Sequence, residues 1–147
     1  MNSPKRLTDE EYDYIFDRAV RLSVDLFITS KEGVLLSLRD IDPFKGMWHL
    51  PGGIVYKNET IVEAGVRIAR AETGLEVKIG ACIGYIEYIH ANQNGHDRHT
   101  VSVVMEAAPA THIPRPDYQA KTIQFHHTIP GNIIPEQKIF LIERELM

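Results

Sequence analysis

A single cysteine, Cys82, stands among 147 residues, so no internal disulfide can form and nothing in the sequence asks for an oxidising compartment. No apolar run approaches the roughly 18 residues that a spanning helix needs. The opening MNSPKRLTDEEYDY has no apolar stretch of the kind that leads a secreted chain. Neither sign of charge dominates: the net charge is −4, with acids and bases interspersed, which leaves no basic face for nucleic acid or an anionic membrane. Prolines fall singly, and no repeat, low-complexity block or linker divides the chain. With 44% hydrophobic and 24% charged residues, disorder, collagen and coiled coil are excluded. The expectation is one cytoplasmic globular domain over residues 1–147, with neither nucleic acid nor membrane as partner. Any phosphate recognition must then be local.

The elements that are present alternate. Thr8 followed by Asp9, Glu10 and Glu11 predicts a helix cap with an acidic first turn, and Tyr12, Ile15, Phe16, Ala19 and Val20 recur at helical spacing. Residues 23–29 and 34–39, separated by Ser-Lys-Glu-Gly, predict a hairpin. A loop with Pro43 and Gly46 leads to Trp48 and a Pro51-Gly52-Gly53 turn. Residues 60–73 give the clearest helix, closed by Gly74 at the place of a left-handed cap. Residues 77–90 and 100–107 predict long strands around a polar loop, 91–99; residues 122–127 predict a further strand, and 135–145 a last helix with proline at its first position. The pattern is α+β, a sandwich with mixed strands too irregular for repeated βαβ units.

A wheel at about 100° per residue places Ile61, Gly65 and Ile68 on one stripe of the central helix, flanked by Ala64, Ala69 and Ala71, with Glu72 in line. A carboxylate there faces the interior, in a last turn whose dipole disfavours it, so a cation must compensate. Mg²⁺ suits such an oxygen ligand, and a salt bridge to Arg39 or Arg67 is the alternative. The adjoining Gly52-Gly53 lets backbone approach a ligand closely, although such turns are also common without any function.

Gly53, five residues, Glu59, seven residues, then Arg67-Ile-Ala-Arg-Ala-Glu72-Thr-Gly74-Leu75 resembles the Nudix box of hydrolases acting on nucleoside diphosphates linked to another group. Ile68 and Ala71 stand where the usual box has glutamates. That pair of losses is similar to the GDP-mannose mannosyl hydrolase branch, as are Leu22-Ser-Val-Asp25, Arg39, Gly46-Met-Trp48-His-Leu-Pro-Gly-Gly53 and Pro116-Asp-Tyr118-Gln119. The resemblance implies a Nudix α/β/α sandwich with a mixed β-sheet. It implies Mg²⁺ on Glu72, Gln119 and a carbonyl of Gly52-Gly53, Arg39 on the diphosphate and Asp25 on guanine. It gives Glu59, Arg67 and Gly74 structural roles in the box. The branch has an arginine where this chain has Ile54 and a histidine base where it has Ala120, which leaves the base open.

His126 and His127 lie on a predicted strand whose alternation sends them to opposite faces; either could enter a cleft as a base, and His127 is the candidate, beside the plainer reading of surface or packed residues. His90, His96 and His99 fit no zinc spacing and read as a solvated loop. Trp48 and Tyr118 are candidate substrate contacts, whereas core packing suits Tyr85 or Tyr88, and Met47 and Met105 need only core roles.

The leading expectation is a Mg²⁺-dependent hydrolase of a nucleotide sugar in which water attacks the sugar carbon. Fewer carboxylates mean fewer metal ions, and one Mg²⁺ can still stabilise a departing nucleoside diphosphate. Ordinary pyrophosphohydrolysis is the second reading and a nucleotide-binding module without turnover the third. The N-terminal helix has no evident place in a compact monomer, and with the resemblance this predicts a homodimer.

Overall fold

The computed structural model describes residues 4–40, 44–110 and 122–147. The elements run α1 (Asp9–Phe16), β1 (Arg21–Ser30), β2 (Gly33–Leu38), β3 (Trp48–His49), β4 (Gly52–Ile54), α2 (Ile61–Thr73), β5 (Val77–Gln93), β6 (His96–Pro109), β7 (Ile123–His126) and α3 (Pro135–Glu143). The seven strands form one mixed sheet in the order β3-β2-β1-β6-β5, with β4 also on β1 and β7 also on β2. Only β1 and β6 pair in parallel among these ladders, from Arg21↔Thr100 to Ile28↔Ala107.

β1 is the centre, buried on both faces along Ser23–Ile28, which is why it reads as a near-continuous apolar run. Its alternation sends Val24, Leu26 and Ile28 to the α2 side, where they pack with Ala64, Ile68, Ala69 and Leu75. Phe27 goes to the other side, among Leu36, Leu50, Val104, Ile133, Phe140 and Leu141 of the α3 layer. Asp25 shares that second face. Helices on both faces of a mixed sheet are the α+β sandwich expected from the pattern. No helix among the described residues is long and apolar enough to cross a membrane.

α2 starts and stops on its capping chemistry. Thr60 and Glu63 form a reciprocal capping box, and Gly74 closes the helix at φ +72°. Gly65 lets the helix lie close to the sheet, since a Cβ there would stand 2.9 Å from Ile79 Cδ1 and 3.3 Å from Leu26 Cδ2. Ala71 is a correction to the wheel: two turns on from the buried Ala64 and close to its direction, it is exposed rather than packed in the stripe.

Other expectations change in detail. β1 and β2 meet as a hairpin only at Thr29↔Val34 and Ser30↔Gly33; further back, Ser23 to Asp25 pair with Ile54 to Gly52 of β4. Pro51-Gly52-Gly53 is therefore the entry to a strand rather than a turn. The supposed polar loop 91–99 is mostly ladder, because Asn94 and Gly95 adopt φ +52° and +84° and turn β5 into β6 in two residues. α1 has the Thr8–Glu11 capping box but ends at Phe16, leaving Ala19 and Val20 outside it. It also finds a place within its own chain. Arg98, 1% exposed, donates to Asp13 and Asp17, and His96 Nδ1 lies 2.8 Å from Asp17 Oδ1. That contact removes the packing argument for a homodimer.

Candidate functional site

A cavity of about 360 Å³ opens where β4 diverges from β2 along β1. Asp25, Arg39, Gly52, Gly53, Glu72 and Tyr88 all line it. Five separate segments thus converge on one cleft, and five of these six residues were expected there from the box or the resemblance.

Asp25 is 6% exposed, and its neighbours explain how a carboxyl survives at the centre of the sheet. The Tyr88 hydroxyl donates to Asp25 Oδ2 at 2.6 Å. Gln137 Nε2 donates to the Tyr88 oxygen at 3.0 Å, and Gln137 Oε1 accepts from the Leu50 amide at 2.7 Å. Burial pushes the Asp25 carboxyl up to about 6, against the opposing pull of the Tyr88 and Ser102 hydroxyls. Burial first, then the neighbouring Asp25 charge, drives the Tyr88 phenol well above its ordinary value. Gly52 is required by the same carboxyl, because a Cβ at Gly52 would sit 2.3 Å from Asp25 Oδ1.

Glu72 enters from α2, half-buried at the cleft wall. Arg67 is not its counter-ion. The Arg67 guanidinium donates twice to Glu59, at 2.7 and 2.9 Å, and once to the Ile54 carbonyl at 2.8 Å, with its plane over the Tyr56 ring. Glu59 also accepts from the Tyr56 amide at 3.0 Å. Burial alone would raise the Glu59 carboxyl, but Arg67 and that amide hold it below its usual range. This brace ties the segment after β4 to the flank of α2, the structural role the resemblance gave Glu59 and Arg67.

Ile68, 2% exposed, fills the space where the usual box has a glutamate; its Cγ1 lies 3.3 Å from where a Cβ on Gly53 would stand. With Ala71 methyl-only, the described box offers the cleft one carboxylate, Glu72, and a carbonyl of Gly52-Gly53. Among the described residues no group of three or more His, Cys, Asp or Glu comes together as a metal cluster. One carboxylate with carbonyl oxygens is a donor set that fits a single Mg²⁺, an ion that keeps waters and takes substrate phosphate oxygens. The Gly53 carbonyl accepts from Ser23 Oγ at 2.7 Å and Gly53 is paired with Val24 in the ladder, so the Gly52 carbonyl, in the next and non-hydrogen-bonded pair with Asp25, is the one left for an ion.

Two candidates lie elsewhere. Trp48 packs against the α3-side core and stands edge-on to His126 at 4.5 Å, outside the residues that line the cleft. His127 is exposed beyond the end of β7 and does not line it either. His126 is held by Trp48, its Nε2 buried without a hydrogen bond among the described residues, and burial lowers its pKa. Tyr118 and Gln119 lie outside the described residues, as does Ala120. Of the two tyrosines, Tyr85 is 60% exposed, while Tyr88 belongs to the site. Gln137 was missed, yet its signal was present. It shares the buried stripe of α3 with Phe140 and Leu141, a polar residue on an apolar face just as Glu72 is.

Comparisons with known proteins agree with this geometry. The low-salt glycan biosynthesis protein Agl8 of Haloferax volcanii is 40% identical over 85 residues, covering 58% of this chain and 54% of that protein. An ADP-ribose pyrophosphatase of Methanocaldococcus jannaschii is 39% identical over 75 residues, covering 51% of this chain and 44% of that one. The matches thus span about half the length of these two relatives. Among solved structures, a MutT NUDIX hydrolase from Burkholderia pseudomallei superposes with a TM-score of 0.70 at 25% identity, over 85% of this chain and 98% of that one. The MutT protein of Methanosarcina mazei gives a TM-score of 0.69 at 19% identity, over 86% and 94% of the two chains. The NUDIX domain family model matches residues 19–132, and with the brace, the capped α2 and Glu72 all in place, the chain belongs to the Nudix family.

Proposed function

We propose that this chain is a single catalytic Nudix domain of the cytoplasm that hydrolyses a nucleoside diphosphate sugar of the GDP-mannose kind, with Mg²⁺, by water attack at the sugar C1. The observation that carries the reading is the burial of Ile68 against Gly53, which leaves Glu72 as the box carboxylate at the cleft. Attack at phosphorus in this family uses several box carboxylates to hold several metal ions. Here the space is apolar, and activation of the leaving group is what the site retains. The H. volcanii relative is named for glycan biosynthesis, which supports a sugar-bearing substrate.

In this reading Glu72, a carbonyl of Gly52-Gly53 and Gln119 would hold the ion, which when bound supplies positive charge to the diphosphate. Arg39, at the same cleft, neutralises the rest of that charge as the C1–O bond breaks. Asp25, aligned by Tyr88, accepts hydrogen bonds from the nucleobase. Water adds to C1, its proton leaves to a base, and the bond electrons depart with the β-phosphate oxygen, giving free sugar and nucleoside diphosphate. His127 and Trp48, the earlier candidates for base and substrate contact, would have to reach the cleft by rearrangement of the segments that carry them. Homodimerisation belongs to the proposal through the resemblance, and sedimentation at micromolar concentration reads it directly.

Phosphorus NMR of a reaction with GDP-mannose and Mg²⁺ tests the activity. GDP with free sugar as products is the expected outcome. GMP with sugar phosphate would identify pyrophosphohydrolysis, the reading that the M. jannaschii relative's name favours. Binding without turnover would leave a nucleotide-binding module.

A further inference from the structure

A second cavity, of about 500 Å³, lies between α1 and the tip of the β5–β6 hairpin. Tyr12, Ile54 and Gln93 line both it and the Glu72 cleft, so the two spaces adjoin. Arg98 forms part of the lining, already committed to Asp13, Asp17 and Gln93. The remaining polar groups have capacity to spare. Gln93 Oε1 accepts from Arg21 at 3.1 Å and Arg98 at 3.3 Å, which fixes the amide and leaves Nε2 without a partner among the described residues. Asp9, Asn94 and Arg6 make no side-chain hydrogen bond among the described residues.

The chemistry of this lining selects its ligand. Asp9 and Asp13 oppose a second phosphate, and Arg6 and Arg98 balance them, so the cavity suits a neutral group. Both tyrosines are already engaged: Arg67 covers Tyr56 at 3.8 Å, and Phe16 meets Tyr12 edge-on at 4.8 Å with Arg98 5.2 Å from the same ring. A nucleobase would want an open aromatic face. A pyranose wants a carboxylate, amides and a guanidinium around its hydroxyls, and those are the free groups present.

We propose that the cavity under α1 is the glycosyl subsite, in which Asp9, Gln93 and Asn94 hydrogen-bond the hydroxyls of the sugar while the nucleoside diphosphate occupies the Asp25–Arg39–Glu72 cleft. The proposal rests on the nucleotide-sugar reading and adds to it where the sugar sits and which residues choose it. It also gives α1 a function: the helix is one wall of a substrate site.

Calorimetric binding of GDP-mannose and of GDP, each with Mg²⁺, to wild type and three variants tests it. Asp9→Ala removes the carboxylate, Asn94→Gly keeps the left-handed turn, and Gln93→Glu keeps the oxygen held by Arg21 and Arg98 while replacing the donor. Each variant is expected to weaken GDP-mannose about tenfold, the worth of roughly one hydrogen bond, and to leave GDP within about twofold. Equal weakening of both ligands, or of neither, with wild type binding both, would overturn the subsite and leave the activity standing. A wild type that binds neither ligand would instead remove the nucleotide-sugar reading, and the subsite with it. Unfolding curves of the three variants separate loss of α1 docking from loss of contact, since a detached helix lowers stability and Gln93→Glu retains the arginine contacts.

Discussion

Ile68 lies against Gly53 so closely that a single methyl on the glycine would stand 3.3 Å from Ile68 Cγ1. An apolar contact therefore seals the space between α2 and β4 where the usual box places a metal-binding carboxylate. Restoring that carboxylate would not restore the usual site. Ile68→Glu is expected to cost about 3 kcal/mol or more in stability, because the position is 2% exposed among apolar side chains, whereas Ile68→Val should cost about 1 kcal/mol. Urea unfolding of both variants checks the difference, and comparable costs would mean that the pocket accepts charge.

Glu72 behaves differently because it opens on the cleft. Glu72→Gln is expected to shift the thermal midpoint by only a few degrees without metal and to abolish the stabilisation that Mg²⁺ confers on the parent. A titration of melting temperature against Mg²⁺ reads both. A steep loss of stability without metal, with a parent indifferent to Mg²⁺, would make Glu72 a structural ion-pair partner.

The Asp25–Tyr88 bond makes a prediction about pH. Asp25 titrates near 6 in the fold against an ordinary 3.8, so the folded state holds the proton more tightly. The sign follows: this contribution is complete below about pH 4 and is lost as pH rises through 6, about 3 kcal/mol for a shift of roughly two units. Asp25→Asn, which still accepts from Tyr88, should gain stability relative to the parent as pH rises from 4 to 7.5. A stability difference independent of pH would mean that the carboxyl ionises at its ordinary value.

Much of this was legible in the sequence where the signal is local. Thr60, Glu63 and Gly74 delimit α2 through caps that depend on near neighbours, and the Gly53–Glu59–Arg67–Glu72 spacing is fixed because those residues serve one helix and the segment before it. The parallel pairing of Arg21 with Thr100 is not local, and nothing in either segment names its partner. The Asp25–Tyr88–Gln137 chain was hidden for the same reason, since its members come from β1, β5 and α3 and each alone resembles a core position. Gly52 shows a subtler limit. A turn glycine and a glycine cleared for a carboxylate look identical until Asp25 is seen beside it. Asn94-Gly95 was readable in principle, but the polar residues around it masked a hairpin tip as a long loop.

The most direct measurement is the hydrolysis of GDP-mannose in ¹⁸O-labelled water with mass spectrometry of both products. Because the side chains of Ile68 and Ala71 carry no ligand atom for a further metal, label is expected in the free sugar and none in GDP. Label in GDP, or in any phosphate product, would show water attacking phosphorus and would contradict the account.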